Sequence, residues 1–196
     1  PIDHEEPSNP ERAKQYFQEA IAIAGELGNT WTIITSKVGL AVVALNAGDS
    51  GKVRSLGEEA LAVAREYSIP LGMGWSLIAL SWAAGMQRNC GDCRRYCLES
   101  RFCWSQDVQG LGLADLKLGC AACMFGDFAA ARRHLRSALN YWAKDAYDPG
   151  RVPACLVTAA SILAHGVQPE RAAQLLGLAE AQWDTHVDSP LLDRLR

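Results

Sequence analysis

The sequence predicts an all-α chain of antiparallel helix pairs, and three observations carry that reading. An apolar stripe runs at three- and four-residue spacing through each of several segments, the block holding it returns four times, and three tryptophans fall on one position of the block. The small residue at the centre of each stripe is Ala20, Ala60, Ser100, Ala138 and Ala179, so successive blocks lie 40, 40, 38 and 41 residues apart. Seven positions earlier stand Ala13, Val53, Cys93, Ala131 and Ala172; three earlier, Phe17, Gly57, Cys97, Leu135 and Leu176. Four positions later come Ala24, Ala64, Trp104, Trp142 and Trp183.

The first helix starts at Ser8-Asn9-Pro10-Glu11. Ser8 or Asn9 caps it, Pro10 sits where its missing N–H costs nothing, and Glu11 meets the positive end of the dipole. Ala13, Tyr16, Phe17, Ala20, Ile21 and Ala24 form its stripe, and Gly28-Asn29 stops it. The run Thr32-Ile33-Ile34-Thr35 is the one local argument for a strand, and it flows into helix-spaced residues from Val38 to Leu45. Between the blocks, further helical runs are expected over 31–47, 71–87, 111–125 and 153–165. Turn signals precede the blocks at Gly48-Asp49, Gly91-Asp92, Gly126-Asp127 and Gly166 ahead of Pro169-Glu170, and Gly110-x-Gly112 reads as a turn before the third intervening run. The unit is helix A, short turn, helix B. Neither helix buries its stripe alone, so neighbouring pairs must stack.

The balance of charge narrows the partners. The 196 residues are 49% hydrophobic and 21% charged with a net charge of −3, which offers no field for nucleic acid or an anionic membrane. No apolar stretch approaches the roughly 20 residues of a membrane span. Residues 86–140 hold eight Lys/Arg against five Asp/Glu, and residues 1–30 two against six, an asymmetry best read as the solvated outer face of B helices. Seven cysteines, an odd number, read as free thiols of a reducing cytoplasm.

The repeat resembles the tetratricopeptide repeat. Leu118-Gly119, Gly126-Asp127, Ala131, Leu135 and Ala138 carry the resemblance most fully, and Ala13-x3-Phe17 followed by Ala20 repeats its helix B half. The departures are a period nearer 40 than the family's 34, Gly57 and Cys97 in place of a bulky residue, and a missing terminal Pro. The phrase from Pro169 to Ala181 is similar to one in the C-terminal repeats of LuxR-type and related signalling-ATPase regulators. The resemblance implies a right-handed superhelical array: helix B of a first repeat, then four A–B pairs over residues 8–196, behind an acidic linker remnant at 1–7. It also implies a segment excised from a larger cytoplasmic protein of transcriptional regulation or signalling.

Motifs of chemistry are weak. Cys90-x2-Cys93 and Cys120-x2-Cys123 have the spacing of zinc pairs, but Cys93 and Cys97 occupy core positions of helix B while the family's register puts Cys120 and Cys123 on the concave face of helix A. Two faces do not share one tetrahedral ion, so no metal is expected. Gly48-Asp-Ser-Gly51-Lys52 lacks the spacer and the Ser/Thr of a phosphate loop. His4, His134, His165 and His186 fall in separate repeats or tails without a placed carboxylate or nucleophile, and Ser36, Ser76 and Ser81 lie in helices rather than on a strained elbow. No catalytic residue and no cofactor are expected.

Laying the family's register on the chain puts Thr35, Val38, Val42 and Leu45 on the concave face, followed by Met73, Ser76, Leu80 and Ala83, then Leu113, Leu116, Cys120, Cys123 and Met124. The candidate groove is therefore Val38, Val42, Leu45, Met73, Leu80, Leu113, Leu116, Cys120 and Cys123. An exposed aliphatic strip marks an interaction site, and an amphipathic helix would bury it. The alternative is that these residues pack on one another as core. The expected function is a non-catalytic scaffold and sensor module that holds a peptide, a helix or another domain of its parent chain, with self-association through the groove or the C-terminal end. The rival is small-molecule effector sensing in the same groove. At the C-terminus, Leu191 and Leu192 are expected to fold back over Trp183, or a second molecule to cover it.

Overall fold

The structure is a computed structural model that describes residues 10–142, 152–165 and 168–185. Among these residues there are nine α-helices and no strand: α1 (Pro10–Leu27), α2 (Thr30–Asn46), α3 (Ser50–Glu66), α4 (Pro70–Met86), α5 (Cys90–Cys103), α6 (Val108–Met124), α7 (Phe128–Trp142), α8 (Val152–His165) and α9 (Pro169–Thr185). They fall into two compact units, one through Gln106 and one from Asp107. In the first, each of α1 to α5 packs on the next, and α2 also touches α4; in the second, α6 to α9 pack in sequence, and α6 also touches α8. The helix-pair expectation holds. The Thr32 to Thr35 run is helical, and the Thr35 hydroxyl turns back to donate to the Trp31 carbonyl at 3.0 Å.

Two or three residues suffice for five of the connections because one device is reused. A residue in the left-handed region ends the helix, at Gly28, Gly48, Ser68, Arg88 and Gly126, with φ of 66°, 75°, 52°, 55° and 81°. The next N–H then reaches back five residues to a carbonyl of the finished helix: Asn29 to Ala24, Asp49 to Ala44, Ile69 to Ala64, Asn89 to Ala84 and Asp127 to Ala122, all at 2.8–3.0 Å. That same residue begins the next helix. Asn29, Asp49, Asn89 and Asp127 accept from the backbone N–H of Thr32, Lys52, Asp92 and Ala130, while Ile69 has no such side chain and Pro70 follows it.

Three glycine readings change. Gly91 lies in the first turn of α5, whose connector is Gln87-Arg88-Asn89, and Gly110 and Gly112 lie inside α6. Gly112 is not a turn residue at all: a β-carbon there would overlap the Trp142 indole. The expected caps Ser8 and Asn9, the turn at Gly166 and the fold-back of Leu191 and Leu192 over Trp183 lie outside the described residues.

Burial divides the helices by type. The intervening α2 and α4 carry one charged residue between them, Lys37, and α4 is apolar on every side. A helix of that kind has no solvent face and must be enclosed. The alternating α3 and α7 are amphipathic, with Val53, Ala60 and Ala64 or Ala131, Leu135 and Ala138 buried and Arg132, Arg133 and Arg136 exposed.

Candidate functional site

The structure corrects the expected concave strip at four positions. Val38, Leu80, Leu113 and Leu116 are buried, Leu80 and Leu116 to within 2%. Val38 packs with Ile34, Ala60 and Ala64, and Leu116 with Ala131, Leu135 and Leu156. Leu80 occupies the notch left by Gly57 of α3, where an added β-carbon would stand 3.0 Å from its Cδ2. The physical reason is that neighbouring helices take the faces assumed to be open: α3 covers Val38 and Leu80, and α7 and α8 together cover Leu116. Leu45, Met73, Cys120 and Cys123 are half-buried, and Val42 is 37% exposed. Leu45 packs against the cluster of Ala41, Val53 and Ala83, whereas Met73 packs against Leu61 and Leu77. Cys120 and Cys123 face Thr158 of α8, through a 3.2 Å Cys120–Thr158 side-chain hydrogen bond and a long 4.0 Å bond from the Cys123 thiol to the Thr158 carbonyl. The nine residues thus belong to several packing sites and form no single open strip.

An apolar groove does exist, on another face. It lies between α3 and α5 above α4, with a volume of about 370 Å³, and Leu61, Met73 and Leu77 form its floor. Leu98 and Phe102 of α5 wall it and are 46% and 82% exposed. These two stand four residues apart on one helix and so share a face. The groove arises because α3 and α5 each pack on α4, with the small Gly57 and Ala60 bringing α3 close, while Leu98 and Phe102 project past the contact.

Opposite charges mark the rims. Arg65, in the last turn of α3, is exposed and makes no ion pair among the described residues. Glu99 is held by Arg95 at 3.0 Å, and Arg95 in turn bonds Asp92 at 2.8 Å and covers the Tyr96 ring at 4.3 Å. Both rims are felt at Cys103 in the groove: burial, helped by the Glu99 carboxylate, pushes its thiol up, and the Arg65 guanidinium opposes this.

One polar cluster escaped the sequence reading. His134 has a placed carboxylate after all: its Nδ1 lies 3.0 Å from Oδ1 of Asp115, which is only 2% exposed, and the Ser137 hydroxyl donates to the other oxygen at 2.8 Å. Asp115 accepts from two side chains of α7 and so ties α6 to it. The serine hydroxyl is spent on the carboxylate rather than aimed at the imidazole, so the three residues hold helices together and present no activated nucleophile. Asp115 is the single acid of an otherwise largely apolar α6, which is the signal that was there to read.

Among the described residues no three of His, Cys, Asp and Glu converge as a metal-holding group. Burial, with a smaller contribution from neighbouring Cys120, pushes the Cys123 thiol up to about 11. No described helix is long and apolar enough to cross a membrane. No protein-family model matches this sequence, and no curated protein matches it significantly.

Proposed function

We propose that the chain is a non-catalytic interaction module, and that the groove between α3 and α5 holds an amphipathic helix of a partner protein. The observation that carries this is Phe102: a phenyl ring left 82% exposed beside half-exposed Leu98, above a floor of apolar side chains. Large apolar residues clustered at one groove mark an interaction site, and an apolar helix stripe is the shape that fills it. Arg65 adds polarity to the choice. An occupant with an acidic side chain on the α3 side satisfies that cation, whereas Glu99 already has Arg95. The wider reading goes with this: a right-handed superhelical array of tetratricopeptide type with a period of about 40 residues, part of a cytoplasmic regulatory or signalling protein.

The test is selection from a displayed library of amphipathic helical peptides on the intact chain, with counter-selection on Phe102→Asp and Leu98→Asp. Peptides with apolar anchors at helical spacing and an acid beside them should be enriched and should lose binding to both variants at least tenfold. Arg65→Glu should weaken the same peptides. Failure to enrich any peptide, or equal binding to Phe102→Asp, overturns the proposal.

A further inference from the structure

We propose that Cys90 and Cys93, in the first turn of α5, are a redox-active dithiol that closes to a disulfide at the expense of a low-molecular-weight disulfide. The Cys-Gly-Asp-Cys segment begins the helix, and the Asn89 cap, which accepts from Asp92 N–H at 3.1 Å and donates its amide to the Asp92 carboxylate at 2.8 Å, fixes where that turn starts. Residues three apart in a helix share a face with Cα atoms about 5 Å apart, inside the roughly 4.4–6.8 Å that a disulfide spans. The N–H groups of Cys90 and Gly91 have no helical partner to lose, while the Cys93 N–H stays on the Asn89 carbonyl at 3.0 Å, so the small adjustment that closes the bridge falls on the Cys90 side of the turn. Gly91, between the two, meets nothing beyond its own cap: an added β-carbon finds only Asn89 Oδ1, at 3.7 Å.

Access assigns the roles. Cys90 is exposed, Cys93 is 3% exposed and Cys97 is fully buried, so an external disulfide reaches only Cys90. The three lie on one face, at spacings of three and four residues, and Cys97 hydrogen-bonds the Cys93 sulfur, which favours the Cys93 thiolate and brings that thiol below its ordinary range despite burial. The Cys90 thiolate attacks one sulfur of the small disulfide and expels one thiolate, leaving a mixed disulfide on Cys90. The Cys93 thiolate then attacks Cys90 Sγ, forms the Cys90–Cys93 bond and expels the second thiolate. The two protons given up by the cysteines pass to the two departing thiolates. The protein loses two electrons, and the small disulfide becomes two thiols.

This inference is independent of what the groove binds. The intact, reduced chain is incubated with glutathione disulfide, quenched in acid and mapped by peptide mass. The expected product is the chain minus two hydrogens, with Cys90 linked to Cys93 and no glutathione retained. Cys93→Ser should instead keep one glutathione on Cys90, and Cys90→Ser should take none at Cys93. Wild-type protein that keeps glutathione on Cys90, or a linkage between other cysteines, overturns the assignment, and because the mapping of wild-type protein decides this, it stands even if a variant fails to fold.

Discussion

The Trp104 indole fills the space that a side chain on Gly74 would occupy, and its Nε1 donates to the Leu71 carbonyl at 3.3 Å. Trp75 meets the same indole edge-on, with ring centroids 5.4 Å apart. In the second unit the same arrangement joins Trp142 to Gly112. Both tryptophans follow their glycine by 30 residues, and at the preceding pair of that spacing the sizes are exchanged, with Ile34 on the intervening helix and Ala64 on the other. One volume is shared out in two ways.

Gly74→Ala should therefore lower stability by about 1–3 kcal/mol through overpacking, against the usual gain from replacing a helical glycine. Gly25→Ala is the control. Gly25 lies in α1 with nothing within 4 Å of an added β-carbon, so this change should raise stability by up to about 1 kcal/mol. Urea denaturation of the two variants measures both, and a stabilised Gly74→Ala would show that the indole yields easily.

Ser68 and Arg88 hold the left-handed conformation that glycine holds at residues 28, 48 and 126. A side chain there costs roughly 1–2 kcal/mol, partly offset by the lower entropy of the unfolded chain without glycine. Ser68→Gly and Arg88→Gly should each raise the urea midpoint, by the equivalent of about 0.5–1 kcal/mol. An unchanged midpoint for both would mean the strain is relieved elsewhere in the connectors.

Ser100 occupies the central position that is alanine in the other blocks, and its hydroxyl is buried without a hydrogen-bond partner. Removing an unsatisfied buried hydroxyl relieves a penalty of about 1–3 kcal/mol, less any packing the oxygen supplies. Ser100→Ala should accordingly be neutral or up to about 1 kcal/mol more stable. A clear loss of stability would reveal a partner for that hydroxyl.

The buried leucines and the exposed phenylalanine should separate cleanly. Leu80→Asp and Leu116→Asp each place a carboxylate in the core and should cost upwards of about 4 kcal/mol, a large part of what holds a domain folded. Phe102→Asp should change stability by less than about 0.5 kcal/mol, as surface substitutions do. Circular dichroism at 25 °C with a thermal melt distinguishes the two outcomes.

Alkaline pH should weaken the second unit. The Cys123 thiol is raised to about 11 by burial, so in the folded chain it stays protonated where the unfolded chain has begun to ionise. Its contribution is complete below the ordinary thiol range, near 8.5, and is lost progressively as pH rises from there through 11. Cys123→Ala should flatten that decline, and urea titrations between pH 8 and 10.5 measure it.

The amphipathic helices were legible because their stripes have a direction: Val53, Ala60, Ala131, Leu135 and Ala138 fall where the period places them, all buried. The boundaries followed from the caps. The candidate groove was not legible, and the reason is physical. A helix such as α4, apolar on all sides, has no preferred face in its sequence, so Met73 and Leu80 were assigned a side by analogy and lie against α3 and α5 instead. The recurrence of tryptophan is visible in the sequence, yet Gly112 reads locally as a breaker because its partner, Trp142, is 30 residues away. Asp115 and His134, 19 residues apart on different helices, meet only through packing that no local period reports.

The order of packing has a kinetic consequence. Within each unit, among the described residues, every helix packs on its immediate neighbours, and the longer-range packing of α2 on α4 and of α6 on α8 skips a single helix. Among the described residues the main packing contacts therefore close loops of about one repeat, and the entropy lost before a contact is rewarded stays small. Such topologies reach the native state in microseconds to milliseconds. Any adjacent trio of helices can serve as the starting point, so slowing one connector should delay refolding far less than it lowers stability.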